Sequence, residues 1–177
     1  MELFDALRRR YSYRGGFKDT PIKQEDLIKI LEAGLMAPSG KNAQKTEFVV
    51  VTEPDLVSKI NLMHENNKAM QQAKAYIACI IDKNPSAVYE GLSFQIEDCS
   101  AAVENIFLAI TDLGYATVWV DGWLRIDRRA EKIAEFINLP SSKKIQVILP
   151  VGIPSESLSS PKKKSFDERV FFNSYQK

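Results

Sequence analysis

A chain of 177 residues, 45% hydrophobic and 27% charged, has the size and composition of one globular domain. Its 24 basic and 23 acidic residues nearly cancel, so net charge argues for neither a nucleic-acid partner nor a polybasic membrane anchor. One histidine, His64, and two cysteines, Cys79 and Cys99, exclude a His-rich metal centre and argue against a disulfide framework.

The elements follow in chain order. Leu3, Phe4 and Leu7 share one face of a short helix ending near Arg10. Thr20-Pro21 opens a second helix. Its first turn holds Glu25 and Asp26, where the helix dipole favours acids. Leu27, Ile28, Leu31 and Leu35 form its stripe, and Ala37-Pro38-Ser39-Gly40 ends it. Residues 47–52 (EFVVVT) predict a buried strand. Pro54 starts a helix carrying Val57, Ile60 and Met63, and the polar stretch 66–74 reads as helical. Residues 76–82 predict a second strand, and 83–95 an irregular segment with Pro85 and Gly91. Ile96, Cys99, Val103, Ile106, Ile110 and Leu113 define the clearest helix, closed by Gly114. Residues 117–121 and 146–151 predict the third and fourth strands, with a helix between them capped by Asp127 and running through Ile137.

The tail from Pro154 changes character. It passes through Lys162-Lys163-Lys164 and ends with Val170, Phe171, Phe172 and Tyr175, an apolar end that needs a surface to bury against. The N-terminal charges follow the apolar residues, the reverse of a secretory leader, and no apolar run approaches the ~20 residues of a spanning helix. Two unspaced cysteines fit a reducing compartment, so the expected location is cytoplasmic, with neither membrane nor nucleic acid as partner.

Few side chains offer catalysis. A Ser–His–Asp triad would have to use His64, with no GxSxG elbow beside it. His64 itself reads as a surface residue. A bound cofactor is then the natural carrier of any difficult chemistry. Three segments could hold one. Arg8, Arg9, Arg10 and Arg14 form one basic cluster and Lys162–Lys164 another. Each reads singly as a solvated charge run, but arginine forks beside Ser12 also suit a phosphate. Residues 37–44 (APSGKNAQ) form a polar loop whose amides could read the edge of a heterocycle. Asp121-Gly122 ends the third strand, and its glycine would let backbone approach a flat ring.

In this order the segments resemble the FMN-dependent nitroreductase family, in a short form. Arg10-Tyr11-Ser12-Tyr13-Arg14 looks like its N-terminal R-x-S-x-R. Thr20-Pro21-Ile22 and residues 26–33 resemble its second helix, and residues 37–44 with Phe48–Val51 its characteristic loop and strand. Residues 98–114 with Thr117–Gly122 resemble its central helix and the strand beside the flavin, and Val151-Gly152-Ile153-Pro154 with the following lysines its closing strand and tail.

The resemblance implies an α+β fold with a mainly antiparallel four-stranded sheet between helices. The whole chain is one domain, paired as an interlocked homodimer whose tail, 154–177, packs on the partner. It implies FMN held by Arg10, Tyr11 (through backbone), Ser12 and Arg14, with Lys162, Lys163 or Lys164 adding charge at the phosphate. Pro38, Ser39, Gly40 and Asn42 would reach the flavin from the other subunit. Asn66 would meet the pyrimidine edge, and Val120, Asp121 and Gly122 would lie along the ring with a backbone N–H near N5. Tyr89, Phe94 and Trp123 would wall the substrate pocket. No side chain is assigned a catalytic role and no metal is expected. The implied activity is ping-pong hydride transfer from NAD(P)H through FMN to a nitroaromatic, quinone or similar small acceptor. The competing uses of the fold are reductive dehalogenation, flavin breakdown, or a flavin-binding sensor or store without turnover.

The chain departs from the family pattern at three points. Gly15-Gly16 lengthens the first motif and predicts a displaced Arg14. Lys45-Thr46 replaces a common Pro-Trp. Lysines stand where many members carry an arginine in the tail.

Overall fold

The computed structural model describes residues 2–158 and 160–175. Ser159, Gln176 and Lys177, the parts of the predicted exchanged tail outside that range, are not described. The order of elements is α1 (Leu3–Arg9), α2 (Gln24–Leu35), a 3-10 turn (Gly40–Asn42), β1 (Glu47–Val51), α3 (Pro54–Asn61), α4 (Lys68–Gln71), β2 (Ala75–Asp82), α5 (Gln95–Asp112), β3 (Ala116–Thr117), a second 3-10 turn (Gly122–Arg125), α6 (Arg129–Phe136) and β4 (Lys143–Gly152). The four strands make one antiparallel sheet in the order β1-β2-β4-β3. The α+β architecture expected from the sequence is therefore the one observed.

Strand alternation divides the core in two. Tyr76, Ala78 and Ile80 of β2 face Val57, Ile60, Met70 and Ile133 on the α3–α4–α6 side. Ala75, Ile77, Cys79 and Ile81 face Leu27, Ile30, Val103 and Ile106 on the α2–α5 side. One irregularity interrupts this order. Cys79 pairs with Val147 but Ile80 pairs with Ile145, so Gln146 is an extra residue in β4. This bulge turns Ile145 to the α6 side while Val147 stays on the α5 side.

Three expectations are corrected. The third strand was predicted over 117–121, but β3 pairs only at Ala116 and Thr117, with one further bridge from Val120 to Ile148. Val118 and Val120 still face one core and Trp119 the other, so the alternation outlasts the hydrogen bonding. The second helix begins at Gln24 rather than at Thr20-Pro21, keeping Glu25 and Asp26 in its first turn. Asp127 does not cap α6. Arg128 holds the N-cap position at φ 54°, and the Asp127 carboxylate is drawn to Arg129 at 2.8 Å.

The expected face of α1 finds no core within the chain. Leu3, Phe4 and Leu7 are 61%, 68% and 43% exposed. Leu3 and Ala6 border a shallow apolar depression with Ala33, Met36 and Leu108. The tail aromatics pair among themselves, Phe166 with Phe172 and Phe171 with Tyr175, but Phe166, Phe172 and Tyr175 remain exposed.

Candidate functional site

The N-terminal motif is an extended segment pinned at its C-terminal end. Tyr13 donates its N–H to the Thr117 carbonyl at 2.8 Å, Lys18 donates to Ile153 at 2.8 Å, and Ser155 donates to Gly16 at 2.9 Å. The extra glycine has a packing cause. Tyr13 folds back and its hydroxyl donates to the Gly16 carbonyl at 2.6 Å. A Cβ on Gly15 would sit 2.6 Å from that hydroxyl oxygen, and one on Gly16 would meet the Gln72 side-chain oxygen at 2.5 Å.

Arg10 leaves this segment toward α5. Its Nε lies 3.0 Å from Glu104, and its guanidinium sits 5.7 Å from the Phe107 ring centre. Tyr11 instead lines a crevice of about 570 Å³ beside Tyr13, Lys18 and Ser155. Arg14 is exposed, its Nη1 3.5 Å from the Ser12 carbonyl, while Ser12 is half-buried. Lys162, Lys163 and Lys164 are exposed on the extended tail.

The loop after α2 is fastened to the first turn of α5. The Gly40 N–H donates to Asp98 Oδ1 at 2.9 Å, and the Gln44 N–H donates to Ser39 Oγ at 3.0 Å. Lys41, Asn42 and Gln44 adopt φ of 52°, 55° and 49°, left-handed backbone that non-glycine residues rarely hold. Such strain persists only where the surroundings enforce it. Gly40 is required by Phe94, because a Cβ there would lie 2.6 Å from the ring. Lys41 Nζ stands 4.9 Å above the Tyr89 ring. Pro38 is exposed, and with Ser39 it borders a cavity of about 210 Å³. Thr46 lines the same cavity, and its buried hydroxyl has no hydrogen-bond partner among the described residues.

A third group gathers where the chain leaves β3. Val120 is buried under the sheet. The Asp121 carboxylate takes two hydrogen bonds from Arg125, both 2.7 Å. Gly122 is exposed, and a Cβ on it would meet nothing within 4 Å. The Trp123 ring stacks on His64 at 4.9 Å and carries Arg129 at 5.0 Å from its centre. His64 Nδ1 accepts the backbone N–H of Asn66 at 3.2 Å. Asn66, Asp121, Gly122 and Trp123 thus form one corner. His64 is corrected from a surface residue to a half-buried part of it. Burial first, and then the nearby Arg129 charge, lower the His64 pKa. Sequence reasoning overlooked this contact because no local spacing ties a loop histidine to a tryptophan beyond β3. Tyr89 and Phe94 do not join Trp123. They stay with the 37–44 loop.

The profile of the Nitroreductase family matches residues 7–86 and 59–153. The chain belongs to the nitroreductase family. A protein of Archaeoglobus fulgidus, whose name pairs NADH dehydrogenase with NAD(P)H nitroreductase, is 29% identical over 140 residues, 79% of each chain. An FMN-dependent nitroreductase from Clostridium difficile R20291 superposes with a TM-score of 0.81 at 27% identity, covering 97% of this chain and 99% of its own. A nitroreductase of Desulfovibrio desulfuricans, solved in complex with FMN, gives 0.79 at 25% identity over 99% of both chains.

The donor set fits such a cofactor. Arg10 and Arg14 supply cationic forks, Gly122 leaves open space over its backbone, and the Thr46 hydroxyl beside Pro38 and Ser39 lacks an acceptor or donor. Among the described residues no group of three or more His, Cys, Asp or Glu could hold a metal, and no helix is long and apolar enough to cross a membrane.

Proposed function

We propose that this nitroreductase-family oxidoreductase is an FMN-dependent enzyme that takes hydride from NAD(P)H and passes it, ping-pong, to a nitroaromatic, quinone or similar small acceptor. The single observation that carries the reading is the corner at Asp121, Gly122, Trp123 and Asn66, open over Gly122 with the Asp121 carboxylate held by Arg125. FMN, when bound, supplies the hydride-accepting N5.

The chain's own residues bind and orient. Arg10, Ser12 and Arg14 hold the phosphate, with Tyr11 contributing backbone. Glu104 keeps the Arg10 fork extended in the meantime. The backbone of Val120, Asp121 and Gly122 lies along the ring. Arg125 engages both oxygens of Asp121 and offsets that negative charge beside the cofactor. His64, its pKa lowered, is neutral near pH 7 and acts as packing for Trp123.

The site is completed by a second copy. Pro38, Ser39, Gly40 and Asn42, with Tyr89 and Phe94, come from the partner, and one of Lys162, Lys163 and Lys164 reaches the phosphate. The exposed faces of α1 and of the tail support this, since both are apolar surfaces without cover in one chain.

Anaerobic titration of the purified, yellow protein with NADH or NADPH tests the reading. Bleaching of the visible spectrum, and its recovery on adding a quinone, is the expected result. A protein that holds FMN yet is bleached by neither nicotinamide overturns it.

A further inference from the structure

A second groove, of about 510 Å³, opens on the far side of Asp121, between the 3-10 turn, α6 and the start of β4. It exists because β3 stops early and leaves the first half of β4 without a neighbour on that side. The bulge at Gln146 then turns Ile145 toward α6, and both residues line the groove.

Its lining holds exposed Ile96 with Leu124 and Ile145 buried behind, and its rim is cationic. Two of the rim cations are spent. Arg125 holds Asp121, and Lys143 holds Glu47 and Asp82 at 2.8 and 2.9 Å. Lys83, Arg128 and Lys144 remain, against the single carboxylate of Glu131. Arg128 is presented by two consecutive left-handed residues, at φ 53° and 54°. A concave site with low-dielectric walls and an excess of one charge concentrates ligands of the opposite charge. The volume is that of a small-molecule pocket.

We propose that this groove receives the adenosine diphosphate half of the nicotinamide donor. The purine lies on Ile96, Leu124 and Ile145, and Lys83, Arg128 and Lys144 take the phosphates. This rests on the proposed function, because Asp121 is shared between the groove and the corner where the nicotinamide would meet the flavin. Three cations on one groove, without a carboxylate partner among the described residues, suit a diphosphate better than a neutral acceptor.

The test is calorimetric titration of ADP into the FMN-loaded protein, whose own phosphate site is then filled. ADP binds the unmodified protein, and more weakly as salt rises. Lys144→Gln combined with Arg128→Gln weakens it at least about tenfold, as loss of charged hydrogen bonds requires. Lys132→Gln, on the same helix but outside the groove, leaves it unchanged. No ADP binding at millimolar concentration, or equal binding by the double variant, overturns the inference. If that happens in a protein that NAD(P)H does bleach, only the groove assignment falls. If dithionite bleaches the protein and neither nicotinamide does, the functional reading falls and the donor with it.

Discussion

Asp98 and Glu104 stand six residues apart on α5 and hold different halves of the proposed cradle. Asp98 accepts the Gly40 N–H at 2.9 Å, and Glu104 pairs with Arg10 at 3.0 Å. Six residues of α-helix place them about 9 Å apart along the axis and about 120° apart around it. The helix therefore stands between the phosphate motif and the loop. In the proposed site the two are joined across a twofold axis, the loop of one chain meeting the phosphate motif of the other.

Dimerisation should therefore be a condition of flavin binding. The expected mass in solution is twice the 20.0 kDa of the chain. Phe4→Glu puts a charge on the exposed face of α1, where Phe4 is 68% exposed in one chain. It should shift the protein to monomer and release FMN together, read by sedimentation and by the flavin spectrum. A monomer that retains FMN would refute the shared site.

Arg10→Gln replaces a charged donor with a shorter, neutral amide. Loss of a charged hydrogen bond costs roughly 1.5–3 kcal/mol, so FMN affinity should fall about tenfold to a hundredfold. Fluorescence titration with free FMN measures it. Glu104→Gln removes the carboxylate that holds the same fork and should leave affinity equal or higher.

Tyr76 anchors the corner that carries His64 and Asn66. Its hydroxyl, fully buried, lies 2.6 Å from the Met70 carbonyl and 2.7 Å from Asn61 Oδ1, and burial raises its pKa far above the ordinary phenol range. Tyr76→Phe leaves a buried acceptor without its donor and should cost about 1–3 kcal/mol in denaturant unfolding. A neutral result would mean that the corner reorganises without the hydroxyl.

His64 gives stability a pH dependence of known sign. Its folded pKa is below the ordinary value of 6.5, with burial as the main cause. As pH falls through 6.5, the unfolded chain takes up a proton that the folded chain refuses, so stability drops. His64→Phe keeps the stack on Trp123 and removes the proton site. Between pH 7.5 and 5 its melting temperature should fall less than that of the unmodified protein. Parallel curves would show that His64 does not titrate out of register with the unfolded state.

How far the sequence alone reaches depends on how local each feature is. The stripe of α5, from Cys99 to Ile110, and the β-branched run of β1 depend on neighbours along the chain, and both appear where periodicity predicts them. Gly15 and Gly40 carry meaning only through Tyr13 and Phe94, which no spacing rule links to them. The bulge at Gln146 is invisible in an apolar run, because Ile145 and Val147 read as the same face until the register with β2 is known. Asp127 looked like a helix cap, but capping needs backbone geometry that its own φ of 53° denies. The motif Arg10–Arg14 was recognised by residue type and order. The pairing of Arg10 with Glu104, far along the chain, became visible only in the fold.

Subunit complementation tests the shared site most directly. Arg10→Glu should spoil the phosphate motif, and Gly40→Trp should spoil the loop against Phe94, so each variant alone should lose FMN. Unfolded and refolded together at equal amounts, they form mixed dimers in which one of the two sites is built only from intact parts. Random assortment predicts recovery of about a quarter of the normal FMN sites. If the mixture binds no more FMN than the separate variants, although mixed dimers are present, the two halves of the cradle belong to the same chain and the account is wrong.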